Sequence, residues 1–206
     1  METAILTRHA ESAASARNLL NGDPYRYIGL TKTGREQARR LGRELSATSI
    51  DLCVTSRFPR TRETADLALE GRPVPRLVLK DLDDVDVGDF EGKPVGDLRA
   101  WQRVHSQSEP VPGGESRVDA ILRYCQGYAT LLAREESTLL VVTHGLPVTA
   151  ILIAIRGEEL PPTLEDVQVH PADPHPVTRD QLHQAVAYLS AWARDQRAAG
   201  QAAASE

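Results

Sequence analysis

The sequence predicts a three-layer α/β/α fold with a mostly parallel central sheet. Two apolar runs, at residues 4–6 and 139–142, are each followed within a few residues by a histidine. Apolar runs of this length are typical of buried parallel strands, and segments with apolar residues at helical spacing lie between them. The chain has 206 residues, of which 41% are hydrophobic, so it can bury one substantial core. We expect a single domain over residues 1–197 and a frayed tail over 198–206.

The first apolar run brings Arg8 and His9 to the carboxyl edge of the predicted sheet, where open α/β sheets bind ligands. We expect the following segment to be helix-like and to point its free N–H groups at the same place. A guanidinium suits a phosphate, and an uncharged imidazole can attack phosphorus. An arginine–histidine pair alone is common, and most such pairs are simply solvated.

A helix is predicted to follow Leu30, with Thr31 or Thr33 as its N-cap. Residues 51–54 form a second short apolar run, and Pro59 suits the first turn of the next helix. Three arginines stand at this strand-to-helix junction. They are Arg57, Arg60 and Arg62. Any single one is more simply a solvated residue, but at least one could hold a phosphate.

Residues 76–79 predict a third strand, and the acidic loop 81–92 follows it. The loop does not have the spacing of an EF-hand. Its carboxylates suit a general acid better. Residues 112–116 predict a turn that opens a long amphipathic helix.

The second histidine repeats the pattern of the first. An apolar run ends at Thr143, and His144, a small residue and a helix follow. In a parallel sheet both histidines would lie at the same edge. Beyond Arg156 we expect an edge strand near 167–169, irregular backbone over 170–177 and a final helix over 178–197.

Net charge, cysteine content and hydrophobicity argue against several classes of protein. The net charge of −5 disfavours nonspecific binding of nucleic acid. Cys53 and Cys125 have no metal spacing and form no disulfide framework, so we expect buried thiols. No apolar run reaches membrane-spanning length. We therefore expect a cytoplasmic enzyme without a membrane partner.

Six sequence blocks, in this order, are similar to the motifs of the histidine phosphatase superfamily, also called the phosphoglycerate mutase-like family. The matching residues are Arg8-His9-Ala10-Glu11-Ser12; Leu30-Thr31, Gly34 and Gln37-Ala38; Ser56, Arg60 and Thr64-Ala65; Gly88 and Phe90-Glu91-Gly92; Pro112-Gly113-Gly114-Glu115-Ser116; and Thr143-His144-Gly145. The match covers roughly residues 3–155. The chain departs from the family where Ala10 replaces a glycine, Ser15 replaces an asparagine and Asp84 replaces a glutamate.

The resemblance implies a phosphoglycerate mutase-like fold and a phosphohistidine mechanism without a metal or other cofactor. It implies that His9 attacks phosphorus and that Asp84 donates and then accepts a proton. Phosphate ligands would be Arg8, Arg60 and His144, with Ser15 at the position of a further ligand. The implied activity is hydrolysis of a small phosphorylated metabolite.

Two alternatives stay open. A mutase would return the phosphoryl group to its substrate, although mutases of the family have a longer segment between the acid and the second histidine. A non-catalytic phosphate-binding module is the other, and the departures at Ala10, Ser15 and Asp84 favour it. The sequence identifies no substrate, and it leaves the oligomeric state open.

Overall fold

The computed structural model describes residues 1–161 and 169–203, where five strands form one sheet flanked by helices. The strands are β1 Thr3–Arg8, β2 Leu52–Thr55, β3 Arg76–Val78, β4 Thr138–Thr143 and β5 His175–Thr178. The α-helices are α1 Lys32–Glu44, α2 Pro59–Ala68, α3 Val95–Gln102, α4 Arg117–Leu132, α5 Gly145–Ile155 and α6 Arg179–Ala203. The strand order is β3-β2-β4-β1-β5, and every neighbouring pair is parallel except β1 and β5. The predicted fold class is confirmed.

Alternating side chains of the central strand β4 divide the core into two parts. Leu140 and Val142 pack with residues of α1 and α2, whereas Leu139 and Val141 pack with residues of α4, α5 and α6. All four side chains are fully buried. Each such burial contributes about 1.5–3 kcal/mol. The sheet is therefore held between two helical layers, and its carboxyl edge is fixed from both sides.

Local signals in the sequence place the helix starts correctly. The Thr31 hydroxyl accepts a hydrogen bond from the Gly34 amide at 3.0 Å and caps α1. A side chain at Gly34 would lie 2.0 Å from the Glu11 carbonyl oxygen, so glycine is needed for this close approach. Pro59 begins α2, and the Ser116 hydroxyl caps α4.

Two predictions about the backbone are wrong. No α-helix follows β1, because the Ser15 hydroxyl accepts a hydrogen bond from the Ser12 amide at 2.8 Å and closes a tight 3₁₀ turn over Ser15–Arg17. The stretch 170–177 is not all irregular, since β5 pairs antiparallel with β1. Pro176 cannot donate a ladder hydrogen bond, and an edge strand tolerates this.

The end of the chain also differs from the prediction. Helix α6 continues through Ala203, past the predicted end at Arg197. Gly200 packs so closely on Ser108 that a side chain there would lie 2.0 Å from the serine hydroxyl. The expected strand at 167–169 falls largely outside the described residues, as do residues 204–206. Within the described ranges no helix combines the length and apolar character needed to cross a bilayer.

Candidate active site

The two histidines meet at the carboxyl edge of the sheet, as predicted. Strands β1 and β4 are parallel neighbours, with Arg8 in register with Thr143. The next residue of each strand is a histidine, and the ring centroids of His9 and His144 lie 5.4 Å apart. Both side chains are buried. Helix α5 begins directly after His144, so its N-terminus lies at the same edge.

His9 is held as a neutral imidazole with a defined orientation. Its Nδ1 lies 2.7 Å from the Ala10 carbonyl oxygen, which can only accept, so Nδ1 carries the proton. Nε2 accepts a hydrogen bond from Arg60 Nε at 2.9 Å. Burial, and then the charges of Arg60, His144 and Arg8, hold the pKa of His9 well below its usual range, against a smaller opposing effect of the Ala10 hydrogen bond. Nε2 therefore carries no proton near neutral pH, and its lone pair accepts the Arg60 hydrogen bond.

Arg60, the second residue of α2, connects the site. Besides its bond to His9, its Nη1 donates to Asn21 Oδ1 at 2.5 Å and its Nη2 donates to Asp84 Oδ2 at 2.7 Å. Nη2 also lies 3.2 Å from His144 Nδ1. The side chain is only 3% exposed. Burial lowers the pKa of Arg60 and Asp84 opposes this, but an arginine stays protonated in a protein.

The neighbouring arginines do not enter the site. Arg57 Nε pairs with Asp83 Oδ2 at 2.6 Å, and its side chain is 41% exposed. Arg62 is exposed and donates to the Arg57 carbonyl oxygen. The structure therefore brings Arg60, and neither neighbour, to the two histidines.

Asp84 is the carboxylate of the acidic loop that reaches the site. Its Oδ2 lies 2.7 Å from Arg60 Nη2 and 3.3 Å from His144 Nδ1, whereas Asp83 is turned to Arg57. Burial acts to raise the pKa of Asp84, but His144 and Arg60 outweigh it and hold the pKa well below its usual range. Asp84 is therefore ionised in this arrangement.

Two hydroxyl groups help to fix the orientation of the His144 ring. Its Nε2 lies 2.9 Å from Ser56 Oγ, which lies 3.0 Å from Thr61 Oγ1. Its Nδ1 faces Asp84 and Arg60. A proton on Nδ1 would be donated to Asp84, and a bare Nδ1 would accept from Arg60. Burial lowers the pKa of His144, with Asp84 opposing it.

Arg8 and Ser15 both line the cavity, but they differ in their free hydrogen-bonding capacity. Arg8 Nη1 donates to the Val169 carbonyl oxygen at 3.3 Å, and its buried Nε has no partner among the described residues. The Ser15 hydroxyl instead donates to the Ser12 carbonyl oxygen at 3.0 Å. Arg8 thus offers a free donor, whereas Ser15 must break a local bond to offer one.

Asn21 is a site residue that sequence reasoning missed. The sequence indicates only a turn at this position, yet the side chain is only 8% exposed and bonds to Arg60. Its Nδ2 donates to Glu91 Oε1 at 3.1 Å, and Glu91 Oε2 accepts from the Gly22 amide at 2.6 Å. Glu91 thereby anchors the loop that carries Asn21. The only signal in the sequence is Glu91 itself, in the block around Gly88.

Arg8, His9, Arg60 and Asp84 line a cavity of about 490 Å³. His144 is fully buried and is not one of its lining residues. Across residues 1–161 and 169–203, no three His, Cys, Asp or Glu side chains are grouped so as to hold a metal. Cys53 and Cys125 are buried free thiols, as expected. The arrangement of neutral imidazole and fixed cations can bind a phosphoryl dianion and present a nucleophile to it.

Comparisons with known proteins identify similar sequences and similar folds. A 2,3-bisphosphoglycerate-dependent phosphoglycerate mutase of Methylobacterium sp. (strain 4-46) is 34% identical over 170 residues, which cover 74% of this chain and 80% of the relative. The crystal structure of a putative alpha-ribazole-5'-P phosphatase from Escherichia coli K-12 superposes with a TM-score of 0.75 at 25% identity, covering 86% of this chain and 90% of that chain. A mycobacterial glucosyl-3-phosphoglycerate phosphatase shares the fold, with a TM-score of 0.69 at 23% identity and coverage of 85% and 92%.

The family model of the histidine phosphatase superfamily (branch 1) matches residues 4–195, which include β1 from its second residue, the other four strands and every site residue described above. The chain therefore belongs to the histidine phosphatase superfamily.

Proposed function

We propose that this protein is a metal-independent phosphatase that hydrolyses a small-molecule phosphomonoester through a phosphohistidine at His9. The observation that carries the proposal is the neutral His9 imidazole, with its Nε2 held 2.9 Å from Arg60 Nε in a cavity that Arg8 also lines. The two guanidinium groups supply the positive charge that metals supply in other phosphoryl-transfer enzymes.

In the first step, His9 Nε2 attacks phosphorus and the bond between phosphorus and the ester oxygen breaks. The phosphoryl oxygens take the donors of Arg8, Arg60 and His144. The electron pair of the broken bond stays on the leaving oxygen, which takes a proton from Asp84 and departs as an alcohol. In the second step, water attacks phosphorus, Asp84 accepts a proton from it, and the bond between phosphorus and His9 breaks. The products are the alcohol and inorganic phosphate.

Asp84 can act as an acid only after its surroundings change, because the contacts described above keep it ionised. The contacts that lower its pKa come from His144 and Arg60. A bound phosphoryl group competes for the same donors and adds negative charge beside the carboxylate. Both effects raise the pKa of Asp84, so the acid is formed by substrate binding.

Turnover separates the enzyme from a non-catalytic phosphate-binding module. Purified protein should hydrolyse p-nitrophenyl phosphate and should do so equally in EDTA. Binding of phosphate without turnover would favour the module, as the departures at Ala10 and Ser15 do. Loss of activity in EDTA, restored by a divalent ion, would refute metal independence.

A mutase is the second candidate, because the curated relatives carry that name. The same phosphohistidine would then return its phosphoryl group to a second oxygen of the substrate. With 3-phosphoglycerate and a trace of 2,3-bisphosphoglycerate, a mutase forms 2-phosphoglycerate many times faster than it releases phosphate. The phosphatase proposal expects release to exceed isomerisation.

The partner that we propose is a small phosphorylated metabolite. A net charge of −5 disfavours nucleic acid. The phosphoryl site lies inside a cavity whose volume suits a small molecule. A cytoplasmic location agrees with such a substrate and remains part of the proposal.

A further inference from the structure

The cavity extends well beyond the phosphoryl site. Its volume of about 490 Å³ lies in the range of pockets that enclose a whole small molecule, whereas the phosphoryl group needs only the end lined by Arg8 and His9. The remainder must hold the part of the substrate that leaves as the alcohol. The chemistry of that region therefore bears on substrate class.

One side of this region is apolar. We call it the distal wall, formed by Val87, Val95, Leu98, Trp101 and Val111, all of which line the cavity. Val87, Leu98 and Val111 are buried and form a hydrophobic cluster separate from the two main ones, with Trp101 packed against it. The distal wall is thus supported by a small hydrophobic cluster of its own.

Trp101 adds a flat surface to the distal wall. Its ring is stacked on His105, with centroids 4.0 Å apart and an angle of 8° between the planes. Both rings line the cavity. Phe90 meets Trp101 edge-on, with centroids 6.4 Å apart. Two parallel rings supported from the side form a surface on which another planar group can pack.

The carboxylates that line this region already have partners. Glu109 Oε1 lies 2.9 Å from His105 Nδ1. Glu115 accepts from Arg123 at 2.5 Å and from the Asp86 amide at 2.9 Å. The cavity lining therefore combines the apolar and aromatic distal wall with two further cations, Arg99 and Arg117, and with carboxylates that are already paired.

We propose that the distal wall binds the leaving group of the substrate, and that this group is an uncharged alcohol bearing a planar or aromatic ring. The proposal rests on the phosphatase activity proposed above and adds the substrate class to it. A planar ring gains burial and stacking at Trp101. A carboxylate or a second phosphate would lose its hydration against the same side chains.

The test uses esters that share a primary alkoxide leaving group, so that bond cleavage is equally difficult. They are ethyl phosphate, 2-(2-naphthyl)ethyl phosphate and 3-phosphoglycerate. We expect kcat/KM for the naphthyl ester to exceed that for ethyl phosphate by about tenfold or more, mainly through a lower KM. Equal values, or a preference for 3-phosphoglycerate that Arg99→Gln abolishes, would overturn the proposal. Arg99 is half-buried, lines the same cavity and is a cation to which the carboxylate of 3-phosphoglycerate could bind.

Variants of the wall identify its role. Trp101→Ala should bring the ratio of naphthyl to ethyl kcat/KM close to one, and Trp101→Phe should keep most of it. Ethyl phosphate, which has no ring to stack on Trp101, reports whether each variant remains folded and active. Val95→Asn makes the wall polar at the first residue of α3. It should also lower the ratio. An unchanged ratio in Val95→Asn and Trp101→Ala would refute the assignment.

Binding separates this proposal from the phosphatase proposal itself. Calorimetry with the His9→Asn variant should show that the naphthyl ester binds about tenfold more tightly than ethyl phosphate. If the wild type turns over no ester but this binding ratio holds, the phosphatase assignment fails and the distal wall stands. If esters are turned over and neither ratio exceeds one, the distal wall fails and the phosphatase assignment stands.

Discussion

Replacing Arg60 by alanine should remove most of the activity, because this one side chain serves several parts of the site. Its Nε holds His9 Nε2 at 2.9 Å, and its Nη2 lies 2.7 Å from Asp84 and 3.2 Å from His144. No other described arginine contacts both the proposed nucleophile and the proposed acid. The variant removes a transition-state cation and two positioning contacts together.

The magnitude follows from the chemistry of the donor that the variant removes. One preorganised donor to the charge that develops in a transition state is worth about 2.7–4 kcal/mol. Each 1.36 kcal/mol changes a rate by about tenfold. Arg60→Ala should therefore lower kcat/KM by about a hundredfold to a thousandfold. Arg60→Lys keeps the charge but not the planar fork, so we expect it to recover only part of the activity.

The assay is the hydrolysis of p-nitrophenyl phosphate, with Arg57→Ala and Arg62→Ala as matched controls at the same junction. The Arg57 side chain is 41% exposed and pairs with Asp83, and Arg62 binds only a backbone oxygen among the described residues. Neither side chain bonds to His9, Asp84 or His144, so their substitution should lower kcat/KM far less than Arg60→Ala does. Equal reductions in all three variants would mean that Arg60 has no special place in the reaction.

Stability must be measured alongside activity. Without Arg60, Asn21 loses a buried donor, and Asp84 keeps His144 as its remaining side-chain partner. Removing one partner of a fully buried ion pair costs about 3–5 kcal/mol. The Asp84 side chain is 29% exposed, so the free energy of unfolding should fall by less than this, and Tm should drop. The reduction in activity should persist at temperatures where the variant is fully folded by circular dichroism. Recovery of activity on cooling would mean that unfolding caused the reduction.

Three further predictions test other parts of the site. His9→Ala should abolish turnover without unfolding the protein. Rapid-quench samples of the wild type should contain acid-labile, base-stable phosphoprotein. Substantial turnover by the variant would exclude His9 as the nucleophile. Asp84→Asn should slow hydrolysis of an alkyl phosphate severely and of p-nitrophenyl phosphate much less, because nitrophenolate leaves unprotonated. It should also flatten the alkaline limb of the alkyl pH profile, and Asp83→Asn should do neither; the reverse result would place the acid at Asp83. Burial, with the nearby cations, keeps His9 unprotonated in the folded state. In the unfolded chain the same imidazole takes up a proton below about pH 6.5. The free energy of unfolding should therefore fall as the pH drops from 7 to 5. Urea titrations should show a smaller fall for His9→Gln, and an equal fall in both proteins would show that the folded state does not suppress this protonation.

The backbone that positions the histidines could be predicted because it depends on local patterns. Apolar runs mark β1 and β4, and the residue after each strand is set by the chain itself. Thr31 and Pro59 mark helix starts through hydrogen bonding and backbone geometry that involve only neighbouring residues. The parallel pairing of β1 and β4 then follows from burial on both faces.

Asn21 shows what the sequence could not provide. Its role depends on pairings far along the chain, since Leu20 bonds to Lys93 and Gly22 bonds to Glu91. The spacing of apolar residues along the sequence does not indicate such long-range contacts. Strand β5 could not be predicted for a related reason. Pro176 has no backbone N–H to donate, so the sequence argues against a strand there, but β5 lies at the edge of the sheet next to β1, where this is tolerated.

The contacts within the site also suggest why the substrate should be a dianion. Arg60 Nε occupies the His9 lone pair that must attack, so the nucleophile is blocked until a ligand draws the guanidinium away. A phosphomonoester dianion balances the charges of Arg8 and Arg60, which leaves the Asp84 carboxylate as surplus negative charge and raises its pKa. A monoanionic diester balances only one of the two guanidinium groups, so Asp84 would stay paired and ionised. If His9 is the nucleophile and Asp84 the acid, we expect these contacts to couple release of the nucleophile to protonation of the acid, and a dianionic ligand to favour both more than a monoanionic one.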